Sequence, residues 1–189
     1  MSTQSREPAP WDQHKEIGYN YRMSNIIAGV IRGQIPHLDE HIAQKKAIYE
    51  RYRAGLANLP VKLNPFDEEN SRPNHWLSCI LIDEDAMAPQ VRSDTECSYA
   101  SVPGKSSPSE ILEALAAFNA EGRPIWKPMH LQPLYKGHPF ITSEGMYRGD
   151  DAQDVGADVF RRGLCLPSDN KMTPAEQDKV IEIIHRCFR

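Results

Sequence analysis

Proline sets the grain of this chain. Its 15 prolines crowd the first ten residues and the middle third. Each one fixes φ and removes a backbone donor, so regular elements have to begin or end at them. The stretches left for helices are few. Ser24 or Asn25 can cap a helix carrying Ile26, Ile27, Val30 and Ile31 at helical spacing, which Gly33 and Pro36 interrupt. A second run sets Leu38, Ile42, Tyr49, Tyr52 and Leu56 on one stripe and Lys45, Lys46, Arg51 and Arg53 on the other, and stops by Pro60. Two capping sequences follow, Ser107-Pro108-Ser109-Glu110 and Thr173-Pro174-Ala175-Glu176. Each has a hydroxyl cap, a first-turn proline and a glutamate three residues after the cap. The first opens a helix with Ile111, Leu112, Leu115 and Phe118 on one face, ending by Gly122; the second buries Val180, Ile181, Ile184 and Phe188. Residues 152–162 suit a further helix.

Strand material is short. The spacing predicts strands at residues 61–63, 76–82, 123–126 and 163–166, with an edge strand near 97–102. Residues 1–16 read as an extended arm, and residues 127–150 as irregular. Helices and strands mix without regular βαβ alternation, which points to an α+β fold: a small sheet covered on one face by helices. At 189 residues and 40% hydrophobic content the chain can bury one ordinary core. A net charge of −4 suggests no nucleic-acid partner. No run approaches the roughly 20 apolar residues of a membrane span, so no membrane partner is expected. The polar start lacks the apolar core of a secretory signal. Cys79, Cys97, Cys165 and Cys187 form no CxxC pair, which argues against zinc and against a disulfide scaffold. A cytoplasmic location is the expectation.

Generic catalytic motifs are missing: no GxGxxG, Walker loop, HExxH or GxSxG occurs. His37 and His41 have the spacing of a metal pair but no third ligand, and a solvent-facing pair beside Asp39 and Glu40 is the better reading. Asp150, Asp151 and Asp154 lack the alternating oxygens of a calcium loop and read as a solvated helix start. Two segments carry more. Residues 16–25, EIGYNYRMSN, place an amide and an arginine fork just before a helix start, a natural anion clamp. On residue types alone, Tyr19 and Tyr21 can equally anchor an arm while Arg22 pairs with a carboxylate. Residues 123–133, RPIWKPMHLQP, form a proline-stiffened loop presenting Trp, Lys, His and Gln to a polar ligand such as a sugar. The same segment can be a connector with Trp126 and Met129 as core plugs.

Taken in order, GYNYRMSNI before a long helix, then RPIWKPMHLQP, then RGLCLPSDNKMTPAEQDKVIEII, this chain resembles the C-terminal part of the DegT/DnrJ/StrS family of nucleotide-sugar aminotransferases. The resemblance runs from about residue 6 to the end, and the WKPMHLQP form is most similar to members acting on UDP-linked sugars. It implies the small C-terminal domain of the aspartate-aminotransferase-type fold, fold type I among pyridoxal-phosphate enzymes. It also implies a full-length homodimer with shared sites, serving surface-polysaccharide or glycan biosynthesis. The implied reaction passes an amino group from glutamate through pyridoxal 5'-phosphate to a nucleotide-linked keto-sugar, leaving 2-oxoglutarate.

Residue by residue, the resemblance assigns Asn20 and Arg22 to the dimer interface, where they help hold the cofactor phosphate of the partner subunit, with Tyr19 and Tyr21 walling the same site. Trp126 and His130 are implied to meet the sugar or nucleotide, Lys127 to reach a diphosphate, and Gln132 to join them. In the family the Schiff-base lysine lies upstream of the GYNYR motif, and no lysine here has its context, so no catalytic residue and no metal ligand is expected in this chain. The expected organisation is an arm at residues 1–23, a helical linker or interface segment at 24–60 and a small α+β domain at 61–189, the lysine-bearing domain being absent. The chain then reads as a fragment, inactive alone; the alternative is a free-standing, non-catalytic domain that binds nucleotide-sugars or a full-length paralogue. An open frame upstream of Met1 encoding a lysine-bearing domain favours the first, an in-frame stop the second. Incubation of the isolated chain with pyridoxal phosphate, followed by dialysis, is expected to leave no Schiff-base absorbance, and a stable band would overturn the missing-lysine reading.

Overall fold

The computed structural model describes residues 21–67, 69–93, 96–135, 137–143, 145–148 and 154–189. The chain divides into two compact units, Met1–Glu40 and His41–Arg189. In the first, helix α1 (Asn25–Gln34) starts where the sequence places a cap, the Ser24 Oγ accepting the Ile27 N–H at 3.3 Å. Pro36 turns the chain through a 3-10 turn (Ile35–His37) into α2 (Leu38–Gly55). The apolar face of α1, Ile26, Ile27, Val30 and Ile31, is exposed.

The second unit is built on a four-stranded antiparallel sheet. Its strands are β1 (Val61–Leu63), β2 (Cys79–Ile82), β5 (Arg123–Pro124) and β8 (Gly163–Cys165), in the order β1-β2-β8-β5. Period-two alternation turns Ile80, Ile82 and Leu164 to one face, where they join the core with α2, α3 (Pro108–Ala117) and α5 (Pro174–Arg186). Both sequences cap their helices, the second as a full capping box, while the Glu110 carboxylate of the first accepts from the Ser101 and Ser106 hydroxyls instead. Ser107 Oγ accepts the Glu110 N–H at 3.1 Å, and Thr173 with Glu176 makes a reciprocal capping box. Tyr52 of α2 is fully buried, and its hydroxyl donates to the Pro167 carbonyl at 2.7 Å. Gln177 of α5 donates to the Ile48 carbonyl, which ties α5 back to α2. The expected α+β arrangement, a small sheet with helices packed on a face, is what forms.

Four local expectations need correction. The strand expected over 76–82 begins only at Cys79. His75 has φ of +50°, and the Asn74 side chain accepts the Trp76 N–H at 3.1 Å, so residues 74–76 turn before the chain enters the sheet. Phe118 lies off the buried face of α3: the helix ends at Ala117, and Phe118 is its exposed cap. Residues 127–150 are more regular than expected, since β6 (Pro139–Thr142) pairs with β7 (Gly145–Arg148) as a hairpin. The edge strand expected near 97–102 is shorter, β4 (Cys97–Tyr99), and it pairs with an unexpected β3 (Gln90–Arg92) as a two-stranded ribbon. In both ribbons short alternating segments find a partner that composition alone does not reveal.

Helix α4 (Val155–Arg162) runs into β8 with no intervening loop, and Gly163 makes that junction possible. A Cβ there would stand 2.5 Å from the Val159 carbonyl oxygen and 2.7 Å from Ile125 Cγ1. Gly163→Ala is therefore expected to destabilise the fold by about 1–3 kcal/mol, the usual cost of overpacking. Urea unfolding followed by circular dichroism checks this, and an unchanged midpoint refutes it.

Candidate functional site

The Trp126 segment leaves the sheet from β5, its neighbour Ile125 lying against Gly163 of β8. Pro128 and the 3-10 turns Met129–Leu131 and Pro133–Tyr135 then coil it into a short loop, closed on itself where Gln132 Nε2 donates to the Lys127 carbonyl at 3.2 Å. Trp126 and Met129 are 62% and 63% exposed, so neither is the core plug that a plain connector would need. Lys127 is half-buried.

His130 is placed differently from Trp126. Its side chain, 10% exposed, stacks on the Phe140 ring of β6 with centroids 3.9 Å apart, and its Nε2 lies 2.8 Å from Asp154 Oδ2. Asp154 is 14% exposed and has a second task, because its Oδ1 accepts the Ala157 N–H at 3.0 Å and caps α4. One carboxylate thus joins the loop to a helix N-terminus, where negative charge is favoured. Asp154 is the helix start expected from sequence, but it is enclosed and partnered; Asp150 and Asp151 lie outside the described residues. Among the described residues no cluster of three or more metal-ligating side chains occurs.

Trp76 is a candidate site residue that the sequence places in a strand. The turn at His75 brings its ring to 5.8 Å from Trp126 at an interplanar angle of 31°, and it too is 62% exposed. The loop and the turn at residues 74–76 therefore present a pair of tryptophans side by side. His75 itself packs between Tyr49 and Phe66, and burial lowers its pKa. The available signal was Asn74-His75 ahead of the apolar run, a pair tolerant of turn conformations.

Of the expected cofactor residues, Tyr19 and Asn20 lie outside the described residues. Tyr21 is 87% exposed and Arg22 is exposed, two residues ahead of the Ser24 cap of α1. They belong to the first unit, and Trp126, Lys127, His130 and Gln132 to the second. An arginine fork followed closely by a capped helix start is a donor set suited to a phosphate group.

Residues 2–185 match the profile of the DegT/DnrJ/EryC1/StrS aminotransferase family. The chain is 37% identical over 189 residues to EpsN of Bacillus subtilis, assigned as a pyridoxal-phosphate-dependent aminotransferase, and covers 42% of it. It is 27% identical over 173 residues to GDP-perosamine synthase of Caulobacter vibrioides, with 91% of this chain and 39% of that protein covered. The crystal structure of a DegT DnrJ EryC1 StrS aminotransferase from Brucella abortus superposes with a TM-score of 0.68 at 21% identity, covering 98% of this chain and 41% of that one. The chain thus spans about two fifths of the length of these relatives, and it has their fold.

The His130–Asp154 contact sets a stability test. Replacing either residue with Ala removes the same link, so Asp154→Ala, His130→Ala and the double variant are expected to be non-additive by about 0.5 kcal/mol or more in a double-mutant cycle. Asp154→Ala alone should cost about 1 kcal/mol through the lost cap. Strict additivity in urea melts would mean that the two side chains do not hold one another.

Proposed function

The chain belongs to the DegT/DnrJ/EryC1/StrS aminotransferase family, and on that premise we propose that it is the small C-terminal domain of a pyridoxal-phosphate-dependent enzyme that moves an amino group from glutamate to a nucleotide-linked keto-sugar. The observation that carries this reading is the exposed, internally braced Trp126 loop. Proline, the Gln132–Lys127 hydrogen bond and the His130–Asp154 contact hold its shape while Trp126 and Trp76 face outward. Paired indoles offer apolar faces to a sugar ring or base, and the half-buried Lys127 supplies a cation for a diphosphate. In this assignment Trp126 and Lys127 meet the ligand, and His130 and Gln132 set the loop that presents them. The UDP-linked class is favoured by the form of that loop.

Pyridoxal phosphate, when bound, supplies the electron sink that lets an amino group pass between two carbon skeletons. This chain's part is to hold and orient. Arg22 with Asn20 would hold the cofactor phosphate of the partner subunit, Tyr19 and Tyr21 would wall the same site, and the lysine that binds the cofactor covalently would come from the part of the protein outside this chain. The exposed apolar face of α1 supports a homodimeric full-length enzyme, since Ile26, Ile27, Val30 and Ile31 together make a surface suited to burial in an interface. The proposed division is arm 1–23, interface helices 24–60 and small domain 61–189, acting in the cytoplasm and inactive without the remainder.

The test is an assay of the full-length protein against a panel of nucleotide keto-sugars with glutamate as donor. Formation of 2-oxoglutarate with one of them is the expected result; none with any would refute the reading. In the same protein Arg22→Ala is expected to lose cofactor on dialysis at least about tenfold more readily than Lys105→Ala, a change of about 1.4 kcal/mol in retention. Equal retention would remove Arg22 from the phosphate site.

A further inference from the structure

Cys79 of β2 and Cys165 of β8 stand directly opposite one another on antiparallel neighbours at the centre of the sheet. Their flanking pair, Ser78 and Leu166, is joined by a hydrogen bond in which the Leu166 N–H donates to the Ser78 carbonyl at 2.8 Å. Bonded and non-bonded pairs alternate along an antiparallel ladder, so the two cysteines form a non-hydrogen-bonded pair. The Cα atoms of such a pair are about 4.5 Å apart. A disulfide spans Cα separations of about 4.4–6.8 Å, so the backbone needs no rearrangement to accept one. Both thiols are free, on the same side of the sheet, with their sulfurs 3.6 Å apart.

The two sulfurs are not equivalent. The Cys79 thiol donates to the Cys165 sulfur, which favours the Cys165 thiolate and holds the proton on Cys79. The other cysteines lack such a partner arrangement: Cys97 sits 3.0 Å from the Ser109 hydroxyl, and burial pushes the Cys187 thiol up to about 11. Cys165 is only 4% exposed, so an attacking oxidant has to be small.

We propose that Cys79 and Cys165 are a peroxide-reactive pair that closes to an intrachain disulfide across β2 and β8. The Cys165 thiolate attacks one oxygen of hydrogen peroxide; an S–O bond forms as the O–O bond breaks, giving the sulfenic acid and a hydroxide that takes up the thiol's released proton as water. Cys79 sulfur then attacks the Cys165 sulfur. The S–S bond forms, the S–O bond breaks, and the hydroxyl leaves with the Cys79 proton as a second water. Two thiols have lost two hydrogens, and two electrons have passed to the peroxide. The bond would staple the strand that follows the Trp76 turn to the strand that follows α4. A thiol reductant reopens it.

The test uses the 189-residue chain carrying Cys97→Ser and Cys187→Ser, treated with hydrogen peroxide. The expected product is a monomer on a non-reducing gel, lighter by two hydrogen atoms, with the cross-link mapped to Cys79–Cys165 and reversed by dithiothreitol. Adding Cys79→Ser should stop the reaction at a sulfenic acid on Cys165 that dimedone traps. Peptide mapping of the peroxide-treated chain with all four cysteines must find the same cross-link, which guards against a folding defect in the variants. No loss of hydrogen, sulfinic or sulfonic acid on either sulfur in place of the cross-link, or a disulfide-linked dimer overturns the proposal.

Discussion

The second unit depends on a direct passage from helix to strand. Arg162 ends α4 and Gly163 begins β8, with no residue between to absorb a change of direction. That economy is possible only because residue 163 lacks a Cβ, with the Val159 carbonyl and Ile125 crowding the position. Arg162 reinforces the joint: its guanidinium pairs with Asp158 one turn back and donates to the Ile82 carbonyl of β2 at 2.6 Å. Hydrogen bonding from the Arg162 guanidinium, with its positive charge, holds the Asp158 carboxyl below its usual range. Because β8 is paired on both sides, whatever fixes its register fixes β2 and β5 together. The loop bearing Trp126 grows out of β5, so it inherits that precision.

A loop of 3-10 turns has few backbone bonds of its own and would ordinarily be mobile. Here its rigidity comes from sharing partners. Asp154 places one oxygen on the first turn of α4 and the other on His130, and Phe140 of the hairpin stacks on the imidazole ring. Helix, loop and hairpin are thereby fastened through the Asp154–His130 contact, while Trp126 and Trp76 remain exposed. This separation matters chemically. Residues that brace a binding loop are free to be enclosed, whereas those that meet a ligand must remain outside until it arrives.

What was legible in the sequence follows from how local each signal is. Caps at Ser24, Ser107 and Thr173 act within one turn of backbone, and all three were readable; so were the apolar stripe of α2 through Tyr49 and Tyr52 and the core strand residues Ile80, Ile82 and Leu164. Trp76 was misread because its neighbours have strand composition, and only the left-handed backbone of His75 shows that the chain turns there. The β6–β7 hairpin hid behind proline and glycine content. Asp154 was visible as a helix start, but its link to His130 joins residues 24 apart through tertiary packing, which no periodicity encodes. Half of the expected cofactor set, Tyr19 and Asn20, lies outside the described residues, so the proposed clamp rests on the sequence more than on the structure.

That contrast bears on why a chain covering 42% of EpsN still announces a chemistry it is not proposed to perform alone. Side chains that hold a phosphate or a sugar are constrained by the ligand's atoms as well as by the fold, and they leave short, dense motifs in the segments that supply them. The lysine chemistry of a pyridoxal-phosphate enzyme is constrained in the same way but elsewhere in the polypeptide. In the proposed division this chain supplies grip and orientation through two such motifs, one in each compact unit, and the lysine chemistry is assigned elsewhere. The cysteine pair on β2 and β8 belongs to a different logic. Its two sulfurs face one another because the sheet's register puts them there, not because a ligand requires it. Any redox sensitivity they confer comes from the scaffold that positions the Trp126 loop.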